Sequence, residues 1–264
     1  MRFSTGSFVA GYFVLGRLGE GTVSSVYRVF DEDLGREAAL KLTPTELGRD
    51  VSLLRSLGHP NLLPIHGSGA VQGHVWFLTE LLEGGTLRRL IGEPMRLRDA
   101  VRLLSPLASA LDYAHQHGLL NAAIRPENVR LSATGVPVLA GFETVDISGS
   151  PDYMSPERCL GEAPTTWSDL YSLGVIAYEL LTGRLPFTGT PAEIAAAQVT
   201  AAPARSGLEP WLEASLTRAL GKNPTARFGT GAEFISALEE RVPASVGPER
   251  EPGGLFGRLR LRVG

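Results

Sequence analysis

The hydrophobic pattern changes period near residue 80, and that switch limits the folds open to the chain. Before it, Tyr12–Leu18, Val23–Asp31, Arg36–Leu42, Leu62–Gly67 and His74–Leu78 are short β-rich runs parted by Gly, Asp and Pro turns. After it, apolar residues recur at helical spacing. Leu97–His117 carries Val101, Leu104, Leu107, Leu111 and Ala114, and Gly118 stops it. Trp167–Leu181 is apolar on nearly every side, as a helix buried at the centre of a helical layer would be, and Gly183 closes it. Trp211–Leu220 and Ala232–Leu238 read as shorter amphipathic helices. One helix is expected inside the strand-rich part. Thr43 as N-cap, Pro44 at the first helical position and Glu46 form a capping box ahead of Leu47, Val51, Leu54 and Leu57. The expectation is an α+β, two-lobed chain. A five-stranded antiparallel sheet with one helix would occupy 1–82, and a mainly helical lobe 83–242. A Pro/Gly-rich linker and an Arg/Leu tail would fill 243–264.

Composition narrows the function classes. With 264 residues and 43% hydrophobic content, the chain can bury a sizeable core. A formal net charge of -3 with 20% charged residues gives neither a nucleic-acid footprint nor a disordered acidic chain. Cys159 is the single cysteine, which excludes an intrachain disulfide and a thiolate metal cluster and fits a reducing compartment. The five histidines show no metal spacing. No apolar run reaches the roughly eighteen residues of a membrane span, and the N-terminus lacks the apolar block of a leader. A cytoplasmic chain without stable membrane insertion is expected.

Gly19-Glu20-Gly21-Thr22-Val23-Ser24-Ser25-Val26 is a glycine-bearing hairpin, which is either a plain turn or a place where backbone amides approach phosphate closely. Ala38-Ala39-Leu40-Lys41 ends a strand, and Trp76-Phe77-Leu78-Thr79-Glu80-Leu81-Leu82-Glu83-Gly84-Gly85 runs from a strand into a loop. Further on stand Arg125-Pro126-Glu127-Asn128, Gly149-Ser150-Pro151-Asp152-Tyr153-Met154-Ser155-Pro156-Glu157, Ser168-Asp169-Leu170-Tyr171-Ser172-Leu173-Gly174 and Lys222-Asn223-Pro224-Thr225-Ala226-Arg227-Phe228. In order and spacing these resemble the motifs of bacterial Ser/Thr protein kinases over about residues 10–241. The resemblance implies that Gly19, Gly21, Val26, Ala39, Lys41, Thr79, Glu80, Leu82 and Asn128 surround ATP. Lys41 would hold its α- and β-phosphates and pair with Asp50, while the Glu80 carbonyl and Leu82 amide would face adenine beside Thr79. It also implies that Asp169 tethers the catalytic loop and that Glu157 and Arg227 form a buried pair.

Two positions depart from the family at the chemistry itself. Where the family reads His-Arg-Asp, this chain has Asn121-Ala122-Ala123, and alanine cannot accept a substrate proton. Where the family reads Asp-Phe-Gly, it has Gly141-Phe142-Glu143, which removes the magnesium carboxylate. Glu143 stands two residues beyond the usual ligand and would need a changed backbone path to turn inward. Glu127 is expected to point elsewhere, and Arg125 keeps the positive charge of the usual Lys. Ala122 replaces the Arg that clamps a phosphorylated loop, and only Thr144–Ser148 separate Glu143 from Gly149. Ala123 and Gly141 therefore mark degenerate catalytic and metal positions. The expectation is a kinase-like domain that has lost phosphotransfer and serves as a scaffold or allosteric partner of an active kinase or another signalling protein. It would bind ATP weakly, with magnesium left open and no nucleic acid involved. The alternative is an active Ser/Thr kinase that uses the displaced groups Lys41 and Glu143. The alternating tail Leu255–Val263 admits a disordered end, an added edge strand or attraction to an anionic surface.

Overall fold

The computed structural model describes residues 2–21, 24–33, 35–49, 51–144 and 150–240. Six strands precede the switch in period: β1 (Phe8–Val9), β2 (Tyr12–Glu20), β3 (Ser25–Asp31), β4 (Arg36–Pro44), β5 (Ile65–Val71) and β6 (His74–Glu80). They form one antiparallel sheet in the order β1-β2-β3-β4-β6-β5. The five expected strands become six because Phe8–Val9 pairs with Tyr12–Phe13 through a tight reversal at Ala10 and Gly11, both at positive φ. A two-residue strand is too short to show periodicity. Val9, Val14, Tyr27, Val29, Leu40 and Leu42 are buried along the sheet, each at 2% exposure or less.

The expected helix after β4 is corrected. Thr43 is fully buried and pairs with Val75, and Pro44 pairs with His74, so the strand runs through the proposed cap. No side-chain cap hydrogen bond forms there, and Thr45–Leu47 is a single 3-10 turn. The true helix, α1 (Ser52–Ser56), is one short piece whose buried residue is Leu54.

The helical lobe is built on α2 (Leu97–Gln116) and, after the small ribbon β7 (Val129–Leu131) with β8 (Pro137–Leu139), on α3 (Pro156–Cys159), α4 (Thr166–Thr182), α5 (Pro191–Thr200), α6 (Pro210–Ala219) and α7 (Gly231–Glu239). Helix α4 lies at the centre, as its all-round apolarity requires. Leu173, Val175, Ile176 and Ala177 are fully buried. Gly174 lets α6 approach, since a Cβ there would meet that of Ala219 at 3.0 Å. The ends of α2, α4, α6 and α7 match the sequence reading to within one residue. Helix α5 has no counterpart in that reading. Thr190 caps it, accepting from the Glu193 amide while the Glu193 carboxylate accepts from the Thr190 amide. The tail and its linker, from residue 241 on, lie outside the described residues.

Candidate functional site

A cleft of about 500 Å³ opens between the sheet and the helical lobe. The β2–β3 hairpin contributes Gly19, Gly21 and Val26, β4 contributes Ala39 and Lys41, and the end of β6 with the following segment contributes Thr79, Glu80 and Leu82. Asn128 closes the other wall. All nine residues assigned to ATP by resemblance therefore line one cavity, together with Ala123 and Gly141.

The loop holding Ala123 is tied down by hydrogen bonds. From α4, Asp169 accepts from the backbone amides of Asn121 (2.9 Å) and Ala122 (2.7 Å), and from His115 Nε2 at 2.9 Å. These bonds hold Ala122 at φ 60, a conformation that costs a non-glycine residue energy. Asn121 is fully buried; its Nδ2 donates to the Ala140 carbonyl at 3.0 Å and its Oδ1 accepts from the Ala123 amide at 3.1 Å. Asn128 Nδ2 donates to the Ala123 carbonyl at 2.7 Å. The frame that would aim a catalytic side chain is intact, and a methyl group stands at its focus.

Lys41 Nζ lies 2.8 Å from Glu143 Oε1 and donates also to Thr144 Oγ1 at 3.1 Å. Glu143 Oε2 accepts from the Gly141 amide at 3.1 Å, so both carboxylate oxygens are engaged. The side chains are 20% and 8% exposed, a largely dry pair. Burial by itself would raise the Glu143 pKa, but the Lys41 charge and hydrogen bond, with two backbone amides, hold it below the usual carboxylate range. The backbone fixes this arrangement. Arg49 N donates to the Glu143 carbonyl at 3.0 Å, and Gly48 bridges Thr144. The Arg49 guanidinium reaches across to the carbonyls of Leu120 (2.9 Å) and Asn121 (3.4 Å). Glu143 thus does turn inward, against the expected path, and it meets Lys41. Asp50, the expected partner of Lys41, lies outside the described residues, as do residues 145–149 of the short segment after Thr144. Glu127, expected to turn away, lines the cleft, but its oxygens are held by Arg88 (2.8 Å) and Arg125 (2.9 Å).

The described residues do not assemble a magnesium site. Gly141 has φ +96, and a Cβ there would stand 3.1 Å from Asn128 Nδ2, so the backbone itself is shaped for glycine. Asn128 offers one neutral oxygen, the Glu143 carboxylate is committed to Lys41, and that of Glu127 to Arg88 and Arg125. Among the described residues no cluster of three or more His, Cys, Asp or Glu side chains could hold a metal ion.

Below the cleft, Arg227 donates to Glu157 through Nη1 (2.9 Å) and Nη2 (2.8 Å), a bidentate pair as the resemblance implied. Burial alone would raise the Glu157 pKa, yet hydrogen bonds from Arg227, a backbone amide and Ser168 bring it down to about 2. A carboxylate whose folded pKa lies below its unfolded one supports stability above the unfolded value and loses that support as pH falls through the folded one. Glu157, Glu127 and Glu143 all shift downward. Thermal unfolding midpoints should therefore hold from neutral pH to about 4.5 and fall steadily from there toward pH 2. A pH scan by circular dichroism measures this; a flat midpoint across that window would contradict it.

A family profile described as "Protein kinase domain" matches residues 12–235, most of the chain. The chain belongs to the protein kinase family. Its relatives include the serine/threonine-protein kinase PknB of Mycobacterium tuberculosis, 31% identical over 89% of this chain and 44% of PknB. Serine/threonine-protein kinase Pkn1 of Myxococcus xanthus is 32% identical over 90% of this chain and 40% of Pkn1. The chain therefore spans less than half the length of these relatives. Among solved structures, the kinase domain of M. tuberculosis PknI superposes with a TM-score of 0.75 at 27% identity, covering 90% of this chain and 98% of that one. In this kinase domain no helix among the described residues is long and apolar enough to cross a membrane. Two functional contacts escaped the sequence reading. The Arg49 bond to the catalytic loop has no local signature, and the Lys41–Glu143 pair joins residues 102 positions apart. The only signal for the second was an acid standing where the family has glycine.

Proposed function

We propose that this kinase domain has lost phosphotransfer and acts by binding, as a scaffold or allosteric partner of a signalling protein, with at most weak affinity for ATP. One observation carries the reading: the lysine that would grip phosphate is held by Glu143 inside the cleft, and among the described residues no cluster of His, Cys, Asp or Glu could hold a metal there. Loss of a general base removes roughly 10²–10⁴-fold in rate on its own. Loss of the metal takes away charge stabilisation on which phosphoryl transfer depends more heavily still. The buried framework around Asp169, Glu157 and Arg227 has no need of catalysis to persist, because it holds the lobe together whatever the cleft does.

Calorimetric titration of ATP, first with magnesium and then with EDTA, tests the metal side of this reading. The expected result is weak binding that EDTA leaves unchanged, together with no transfer of radiolabelled phosphate to protein or peptide. The competing reading is an active Ser/Thr kinase, which draws on the relatives being serine/threonine-protein kinases and on Glu143 standing within the cleft. It requires Glu143 to leave Lys41 during turnover. Magnesium-dependent label transfer that vanishes in Lys41→Ala would establish it and overturn the proposal.

A further inference from the structure

The charge pattern of the cleft is reversed relative to a nucleotide. Of its cationic side chains, Lys41 is neutralised by Glu143 at 2.8 Å and Arg125 by Glu127 at 2.9 Å. Arg130 is different. It belongs to β7, where its neighbours Val129 and Leu131 are fully buried on the other side of the strand, and the alternation delivers its side chain to the cleft. No ion pair or side-chain hydrogen bond engages its guanidinium among the described residues. Burial is the one influence on its pKa, and it acts downward. A partly dehydrated, uncompensated guanidinium is unfavourable for folding, and an apolar residue would serve the packing better.

Its place is also telling. Arg130 bridges Thr86, and the flanking Leu131 exchanges backbone bonds with Gly84 and Gly85, each at 3.0 Å. This is the end of the cleft at Glu80 and Leu82, away from the Lys41–Glu143 pair. ATP in the pose implied by the family would bring its uncharged base to Arg130 and its phosphates to a lysine already neutralised. Both ends are mismatched.

We infer that the cleft binds a small organic anion whose flat apolar body lies among Val26, Ala39, Leu63 and Leu82 and whose carboxylate, sulfonate or phosphate is held by Arg130. A cavity of about 500 Å³ suits a molecule of that kind. The planar guanidinium offers paired donors that match a carboxylate or phosphate, and those bonds strengthen where water is scarce. This site needs no phosphotransfer, so it goes beyond the preceding reading and can fail separately from it.

Anilinonaphthalene sulfonate, a flat apolar anion, is a direct probe, with the uncharged phenylnaphthylamine as its control. Both are titrated by fluorescence against the wild-type chain, Arg130→Leu and Arg130→Gln, with unfolding midpoints recorded alongside. The sulfonate should bind both variants about tenfold or more weakly than the wild type, the loss of one charge-assisted pair of hydrogen bonds. Phenylnaphthylamine should bind Arg130→Leu as well as, or better than, the wild type, and neither variant should melt lower. Equal sulfonate affinity across the three proteins, or no sulfonate binding to the wild type, overturns the inference. Should Arg130→Leu fail to fold, the Gln variant, which keeps length and polarity, decides the question alone. Label transfer from ATP does not enter these titrations.

Discussion

Replacing Arg227 by alanine should destabilise the domain by about 3–5 kcal/mol, the range seen when one partner of a buried ion pair is removed. For a chain of this size that corresponds to a fall in unfolding midpoint on the order of 10 °C, readable by circular dichroism. The size follows from what Arg227 touches. Its side chain is 1% exposed, and that of Glu157 is 7% exposed. Besides the bidentate pair, Arg227 donates to the carbonyls of Gly221 (2.6 Å), Lys222 (3.1 Å) and Trp167 (3.2 Å). Its guanidinium also lies over the Tyr171 ring, 4.8 Å from the centroid. Truncation would leave a buried carboxylate whose one other side-chain donor among the described residues is Ser168 Oγ at 2.7 Å, and would take a donor from each of three carbonyls. Because most of that loss is the stranded Glu157 charge, Glu157→Ala combined with Arg227→Ala should be clearly less harmful than the two single losses summed. A single-variant loss below about 1 kcal/mol would mean that water reaches the pair, and the effect would then resemble that of a surface salt bridge.

How much of this could be read beforehand depends on the range over which each feature is decided. The major helices were legible because α2 and α4 carry their evidence within themselves, in apolar spacing and in stop glycines such as Gly183, which adopts the left-handed conformation at φ 73. The family motifs were legible because they are runs of adjacent residues. The two Thr-Pro-x-Glu segments show where local reading ends. Thr43-Pro44-Thr45-Glu46 and Thr190-Pro191-Ala192-Glu193 carry the same start signal, yet only the second opens a helix. At the first, β6 supplies partners for Thr43 and Pro44, and the β4–β6 pairing wins over the local preference. At the second, no strand competes, and α5 forms. Glu143 fails in the same way. Family geometry predicts an outward path, whereas the bonds from Arg49 and Gly48 to Glu143 and Thr144 turn the segment so that the carboxylate meets Lys41. Long-range pairing of this kind leaves no mark on a short window of sequence.

The second large effect should come from that pair. Glu143→Gln keeps the shape and the acceptor oxygen but removes the charge that commits Lys41. ATP or ADP binding to the variant should tighten by about tenfold or more, the scale of one charge-assisted hydrogen bond returned to the ligand. The direction separates two roles for Glu143. If it locks Lys41, removing its charge helps nucleotide; if it is a displaced ligand for magnesium, removing it weakens nucleotide binding in magnesium and leaves binding in EDTA alone. Alanine is a poorer probe, because Glu143 is 6% exposed and truncation would open a void beside Phe142, itself 5% exposed. The same substitution should loosen the segment before α1. Arg49 N and Gly48 are tied to the backbone of Glu143 and Thr144, and that backbone is positioned partly by the salt bridge at its side chain. Faster amide exchange at Arg49, alongside tighter nucleotide binding, would mark Glu143 as the group that couples the cleft to the α1 side of the sheet. Tighter binding with unchanged exchange would confine its action to charge. Unchanged affinity would mean that Lys41 never contacts the ligand, and phosphate recognition would have to be sought at the β2–β3 hairpin.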